Sequence, residues 1–425
     1  MTDEQETSAP TLAELVHQMF EQLSGIEGHP SEIQIRQLCD WLYAASLLKE
    51  EGRAVRARVI IAPPDSFESS ANSPDSLYVI RFAVSHGLSP NEIKRISPAA
   101  SFFHSAVGVW PDRDRGFRIW GIINTGPRWL NLVAGGRKPM GKDIPFPVVH
   151  IRDPGWLLFY DCYSLIAEWR GREFHGPRID VFQSNLLQER FDGMRRRLIG
   201  ELANGCLPDT LDVEVYSTLA HQISLQFVKR IINLVRTSGH GGSLVVLPAG
   251  EEGQDVTTRW IDCKYSAEPN VHELRFRTLL KSILRRVGQL SPKGADADEA
   301  WEVFKNSSDS ELDEMEEAFF ELARFFSDLM QVDGALIIDN RMSVIGFGGE
   351  IRVDRNVLQV GQAHDLGGTF VTSWNVQGDG TRHRSVYRLC SVEPSVIGFV
   401  ISQDSQVRMI ANVNDSVVFW AHSMI

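Results

Sequence analysis

Apolar residues recur at helical spacing over Thr11–Leu23, where Leu12, Leu15, Val16, Met19, Phe20 and Leu23 form one stripe. The same spacing returns over Ser31–Glu51, with Ser31 placed to cap the helix. Val55–Ala62 is rich in β-branched residues and is stopped by Pro63-Pro64, which predicts a strand. Short β-like segments follow at Leu77–Ala83, Phe117–Asn124, Trp129–Val133, Val148–Ile151 and Trp156–Tyr160, separated by Gly, Pro and Asp. That rhythm predicts a mixed or antiparallel sheet, not regular βαβ winding. Ser184–Leu202 reads as an arginine-rich helix, and Leu211–Arg236 as a longer amphipathic one running into Gly239-His240-Gly241-Gly242. Ser243–Leu247 is then a strand and Val271–Gln289 a basic helix carrying Arg275, Arg277, Lys281, Arg285 and Arg286. An acidic helix over Ser310–Met330, with Leu312, Met315, Phe319, Leu322, Ala323 and Phe326 on one stripe, feeds a buried strand at Ala335–Ile338.

The 425 residues exceed one ordinary core. The polar stretch that begins at Ser291-Pro292-Lys293-Gly294 is the best linker candidate. The expected organisation is a mixed α+β sensor region over 1–290, a linker over 291–307, and a C-terminal domain over 308–425. A further division of the first region into 1–205 and 206–290 stays open. The fold class expected is α/β (α+β), the C-terminal domain being a mixed sheet flanked by helices.

Composition narrows the partners. The formal net charge of -12 argues against a protein that coats nucleic acid, although a local basic cluster can still take a small anion. The five cysteines stand singly with no CxxC pair, which fits reduced thiols. The acidic start MTDEQETSAP is no signal peptide, and no apolar run is long enough to span a bilayer. A cytoplasmic protein with no membrane or nucleic-acid partner is expected.

Two segments carry chemistry. In Val332-Asp333-Gly334-Ala335-Leu336-Ile337-Ile338 an acid at a helix end precedes a glycine and a buried strand, which places a carboxylate at the lip of a sheet. The glycines of Val344–Ile351, at 346, 348 and 349, let backbone approach a flat ligand. In Gly380-Thr381-Arg382-His383-Arg384, two guanidinium groups, an imidazole and a hydroxyl follow a Gly-Asp-Gly read as flexible. Arginine forks match phosphate oxygens, and Thr381 adds a donor.

Either segment alone is common. Their order and separation resemble the DAC family of bacterial diadenylate cyclases, whose signature is a DGA motif followed by TRHR; the likeness covers about residues 308 to 420. The resemblance implies condensation of two ATP molecules into cyclic di-AMP with Mg2+ or Mn2+ as cofactor. It implies catalytic roles for Asp333, Arg382, His383 and Arg384, with Asp333 and Asp404 at the metal. Gly334, Ala335, Gly348, Gly349, Ile351, Gly380, Thr381 and Ser402 would border the substrate. Each 3′-hydroxyl must reach the other nucleotide's α-phosphate, so a homodimer or higher oligomer with facing domains is expected.

The chain departs from the family pattern at Ser385-Val386, where alanine is common, and at Ser402-Gln403-Asp404, where the family has a Ser-Glu-Glu-like turn. Gln403 brings no charge to a metal, so a catalytically degenerate nucleotide-binding sensor is the alternative expectation. The chain's end soon after the expected core leads us to expect no DNA-binding module. Residues 1–290 resemble the sensor regions that precede such cyclase domains, with an unknown ligand. In that region Gly239–Gly242 reads as a helix cap with a tight turn or as a phosphate loop, and the tryptophans at 110, 120, 129, 156 and 169 read as core.

Overall fold

The computed structural model describes residues 11–67, 78–100, 105–112, 114–124, 146–161, 164–171, 173–175, 180–184, 186–187, 189–191, 200, 207–268, 271–403 and 406–422. Expected elements at Trp129–Val133 and over most of Ser184–Leu202 lie outside them. The described residues fall into two compact units, one ending at His175 and the other beginning at Asp180. Both combine helices with mixed sheets, the expected α+β class. Among the described residues, no helix is long and apolar enough to cross a membrane.

The first unit opens with α1 (Leu12–Leu23) and α2 (Glu32–Ser46). Each begins with a reciprocal cap, Thr11 with Glu14 and Ser31 with Gln34, which satisfies main-chain donors of the first turn. Strands β1 (Lys49–Glu50) and β2 (Arg53–Ala54) make a small hairpin. An eight-stranded sheet follows, built from β3 (Ala57–Ile61), β4 (Tyr78–Gly87), β5 (Ser105–Asp112), β6 (Gly116–Asn124), β7 (Pro147–Asp153), β8 (Trp156–Asp161), β9 (Ser164–Arg170) and β10 (Glu173–His175). Its order is β10-β9-β8-β7-β3-β5-β6-β4, antiparallel except for β3 beside β5. The short helix α3 (Pro90–Ile96) lies between β4 and β5.

Alternation gives this sheet two unlike faces. Ala57, Ile151, Leu157 and Trp169 pair across four strands on one face, where Tyr43 of α2 stacks on Trp169 at 4.6 Å. One residue over, Arg58, His150, Leu158 and Glu168 pair on the other. All four are buried. Burial, with Arg58 and Arg152 nearby, pushes the His150 imidazole well below its usual range. Trp120 and Trp169 are buried, and Trp110 and Trp156 pack against the same core, as expected.

The second unit is layered helix, sheet, helix. Its elements are α4 (Val213–Ser238), β11 (Gly242–Leu247), α5 (Glu251–Trp260), β12 (Ile261–Ser266), α6 (Val271–Leu290), α7 (Ala297–Asn306) and α8 (Ser310–Leu329). Then come β13 (Ala335–Asp339), β14 (Val344–Ile351), β15 (Gln359–Ala363), β16 (Val371–Asn375), α9 (Thr381–Val392), β17 (Ile397–Ile401), β18 (Val407–Val413) and β19 (Ser416–His422). The nine strands run β12-β14-β13-β11-β17-β18-β19-β15-β16, with β11 parallel to β13 and β15 parallel to β19. Leu244, Leu336 and Phe399 point to a core with α4, α6 and α8, where Phe227 meets Phe276, Phe319 and Phe326 at 4.9, 5.0 and 5.3 Å. Their neighbours Val245, Ile337 and Val400 point to the opposite core, under α9.

This unit takes in residues 207–307, where the sequence pattern predicts the end of a sensor region and a linker. The central strand β11 pairs with β13 and β17, so the C-terminal sheet is incomplete without it. The expected linker holds α7, which buries Ala300 and Phe304 in the helical core. Gly239 caps α4 at φ 75°, so the Gly-His-Gly-Gly run is a helix end and a turn into β11.

Candidate functional site

Helix α8 ends at Leu329, and the chain turns through Asp333 and Gly334 into β13. The Asp333 side chain is 95% exposed, at the rim of the sheet as the sequence suggested. Gly334 has φ +122°, and a Cβ there would stand 2.4 Å from the carbonyl carbon of Gly348. No other residue type fits, which lets the Asp333 turn lie flat against β14.

The TRHR segment is not an irregular loop. It is the first turn of α9, with Gly380 as N-cap. The Arg384 amide donates to the Gly380 carbonyl at 3.2 Å, which starts the helical ladder. The amides ahead of it lack helical acceptors, so this end of α9 favours an anion. Helical spacing then sorts the side chains. Thr381, Arg384, Ser385 and Arg388 fall on one face (i, i+3, i+4, i+7), while His383, Val386, Tyr387 and Cys390 are buried on the other.

Asp333 and the α9 face line a single cavity of about 560 Å³. From the sequence-predicted set it gathers Asp333, Gly334, Ala335, Gly348, Gly349, Ile351, Thr381, Arg382 and Arg384. Four expected residues are elsewhere or undescribed. His383 is buried beneath α9, its ring 6.4 Å from Tyr387. Gly380 caps the helix without lining the cavity. Ser402 closes the β17–β18 turn, its hydroxyl accepting from the Gln406 amide at 3.1 Å. Asp404 lies outside the described residues.

The cavity also takes in Glu350 and Ser385, which lie in or beside the two expected segments, and Ser243, Lys264 and Arg388, which the sequence did not single out. Its four cations, Lys264, Arg382, Arg384 and Arg388, face two carboxylates, Asp333 and Glu350. A cationic cavity in a chain of net charge -12 selects anions locally. The Arg384 Nε is buried with no hydrogen-bond partner among the described residues. A Cβ at Gly241 would lie 3.2 Å from both Arg382 Nη1 and the Gln403 amide nitrogen, so Arg382 rests against the turns after α4 and β17.

The residues suit Mg2+ or Mn2+. Such hard cations take one or two carboxylates and complete their shell with phosphate oxygens and water. Asp333, in the cavity lining, supplies one such carboxylate, and no group of three or more His, Cys, Asp or Glu able to hold a metal occurs among the described residues. Zinc, which needs several nitrogen or sulfur donors, has no such set there.

Lys264, on β12, holds the Asp333 turn. Its Nζ donates to the Asp333 carbonyl at 3.2 Å and stands 3.6 Å from the Asp333 carboxylate. Lys264→Met is expected to weaken inorganic tripolyphosphate binding about two- to fivefold, since an exposed cation contributes roughly 0.4–1 kcal/mol. Titration calorimetry at two salt concentrations checks this: the deficit shrinks as salt rises. Unchanged affinity at low salt removes Lys264 from the site.

Against known proteins, residues 25–124 match the family described as "Probable sensor domain DACNV". That stretch runs from α2 through β6 and does not reach the cavity. No curated protein and no solved structure matches the chain. The first unit is thus similar to a sensor domain family, in the region where a sensor was expected.

Proposed function

We propose that the second unit is a diadenylate cyclase that condenses two ATP molecules into cyclic di-AMP and two pyrophosphates, and that the sensor-like first unit regulates it. One observation carries the reading: the Asp333-Gly334-Ala335 turn and the Thr381–Arg384 helix start, far apart in sequence, line the same cationic cavity.

The division of labour follows from residue chemistry. Arg382 and Arg384 hold the triphosphate with Thr381 and the α9 amides, and keep its oxygens oriented as charge builds on the leaving pyrophosphate. Asp333 would hold Mg2+ or Mn2+, which when bound would supply Lewis-acid polarisation of the phosphate. At each nucleotide the 3′-hydroxyl gives up its proton to solvent, its oxygen bonds to the partner nucleotide's α-phosphorus, and the α–β phosphoanhydride bond breaks to release pyrophosphate. Glycines at 334, 348 and 349 leave room for the nucleoside. One cavity holding one ATP cannot close the ring, so two copies face each other.

Purified full-length protein incubated with ATP and Mg2+ or Mn2+ is expected to release cyclic di-AMP and pyrophosphate in a 1:2 ratio, read by mass spectrometry. Parallel reactions with the other three nucleoside triphosphates assign base preference. A second reading, a nucleotide-binding sensor without turnover, is favoured by Gln403, an uncharged residue where the family has an acid. Saturable ATP binding with no product under either metal selects that reading.

A further inference from the structure

Asp379 stands one residue before the Gly380 cap of α9 and is almost fully buried, with its side chain 8% exposed. Its carboxylate oxygen Oδ2 accepts three hydrogen bonds: from Trp374 Nε1 at 3.0 Å, Tyr387 Oη at 3.2 Å and Arg408 Nη1 at 2.9 Å. Arg408 also donates to Tyr387 Oη at 2.8 Å. Its guanidinium lies over the rings of Trp374 and Phe419, at 5.1 and 4.4 Å. The Asp379 amide in turn donates to the Val376 carbonyl at 3.0 Å. The segment read from sequence as flexible is therefore bound by β16, α9 and β18 together.

We propose that Asp379, Arg408 and Tyr387 are positioning residues for the cavity: they set where α9 begins, and so where Thr381 and Arg382 meet the bound phosphates. This rests on the phosphate-binding role given to those two residues above. The placement argues for it in two ways. Tyr387 lies in the second turn of α9 and Asp379 just before the first, so one hydrogen-bonded group grips the helix on both sides of Arg382. Burial pushes the Tyr387 hydroxyl above its ordinary range, more than the neighbouring Arg408 lowers it, so it stays a donor to Asp379 at all working pH values. A buried ion pair also contributes little net stability over well-packed apolar residues of similar size. What it fixes is an arrangement.

The test separates arrangement from stability. Removing one charge strands the other, so single variants risk unfolding; the double variant Asp379→Asn/Arg408→Met removes both at nearly constant shape. Full-length double variant is expected to melt within a few degrees of wild type and yet to bind inorganic tripolyphosphate at least tenfold more weakly, with a similar drop in ATP turnover. Arg408→Lys, which keeps the charge, is expected to recover part of the affinity. A double variant that melts normally and binds like wild type overturns the proposal. So does a loss of binding that merely tracks the unfolded fraction. The cyclase reading fails separately: wild type that binds tripolyphosphate but makes no cyclic di-AMP sinks it alone, and wild type that does not bind tripolyphosphate sinks both.

Discussion

Asp333→Asn in the full-length chain is expected to lower cyclic di-AMP formation by at least about a thousandfold, roughly 4 kcal/mol of transition-state stabilisation. The substitution keeps shape and polarity and removes only the negative charge. That charge is what a hard divalent cation needs from the protein, since the remaining oxygens come from phosphate and water. The fold should not notice. The side chain is 95% exposed, and the only ion pair described for it is the one with Lys264 at 3.6 Å. A pair this exposed contributes at most about 1 kcal/mol. The expected pattern is therefore an unchanged melting curve, tripolyphosphate binding without metal equal to or better than wild type, and no product with either Mg2+ or Mn2+. Turnover equal to wild type would show that the Asp333 turn is an ordinary helix-to-strand connection. Silent wild type and silent variant, in samples assembled as dimers, would end the cyclase reading.

How much of this was legible in the sequence depended on how local the determinants are. Helical and strand periodicity placed α1, α4, α6, α8 and β13 within a few residues, because each rests on its own apolar stripe, while the helix expected over Ser31–Glu51 ends at Ser46 and gives way to β1 at Lys49–Glu50. The Asp333-Gly334-Ala335 turn was legible for the same reason: acid, glycine and strand are contiguous. Lys264 and Ser243 were not. They reach the cavity only because β12 pairs with β14 and β11 with β13, and ladders between residues some 80 to 90 apart leave no mark in either segment alone. The same blindness put β11 and α4 in the wrong domain. Arg388 could have been found, since it repeats Arg384 at i+4, but only once the cationic segment is read as a helix. That reading also explains His383. Its chemistry suggested a ligand contact, while the helical period turns it toward Tyr387 and the core. Asp379 is the opposite case. Two flanking glycines suggested freedom, and three donors remove it: Trp374 and Tyr387 from the neighbouring elements and Arg408 from β18.

Gly334→Ala is expected to destabilise the second unit by about 2–4 kcal/mol and to abolish nucleotide binding with it. Two separate penalties add at this position. A φ of +122° lies outside the small left-handed region that an alanine can enter at modest cost. The added Cβ would also stand 2.4, 2.7 and 2.8 Å from the Gly348 carbonyl carbon, the Gly348 Cα and the Gly349 amide nitrogen, all backbone of the neighbouring strand, which cannot rotate away as a side chain would. The relief available is to push β13 and β14 apart at the cavity, where Ala335 and Gly349 are register partners. Gly294→Ala supplies the control within the same unit. It has φ +78°, and its Cβ would meet nothing within 4 Å, so only the conformational cost of roughly 1 kcal/mol remains. Urea unfolding of the two variants should thus differ by about 1–3 kcal/mol, and only the Gly334 variant should lose tripolyphosphate binding under conditions where both are folded. Equal destabilisation, with binding intact in both, would mean that the β13–β14 contact yields easily and that the geometry of the Asp333 turn is not what holds the site together.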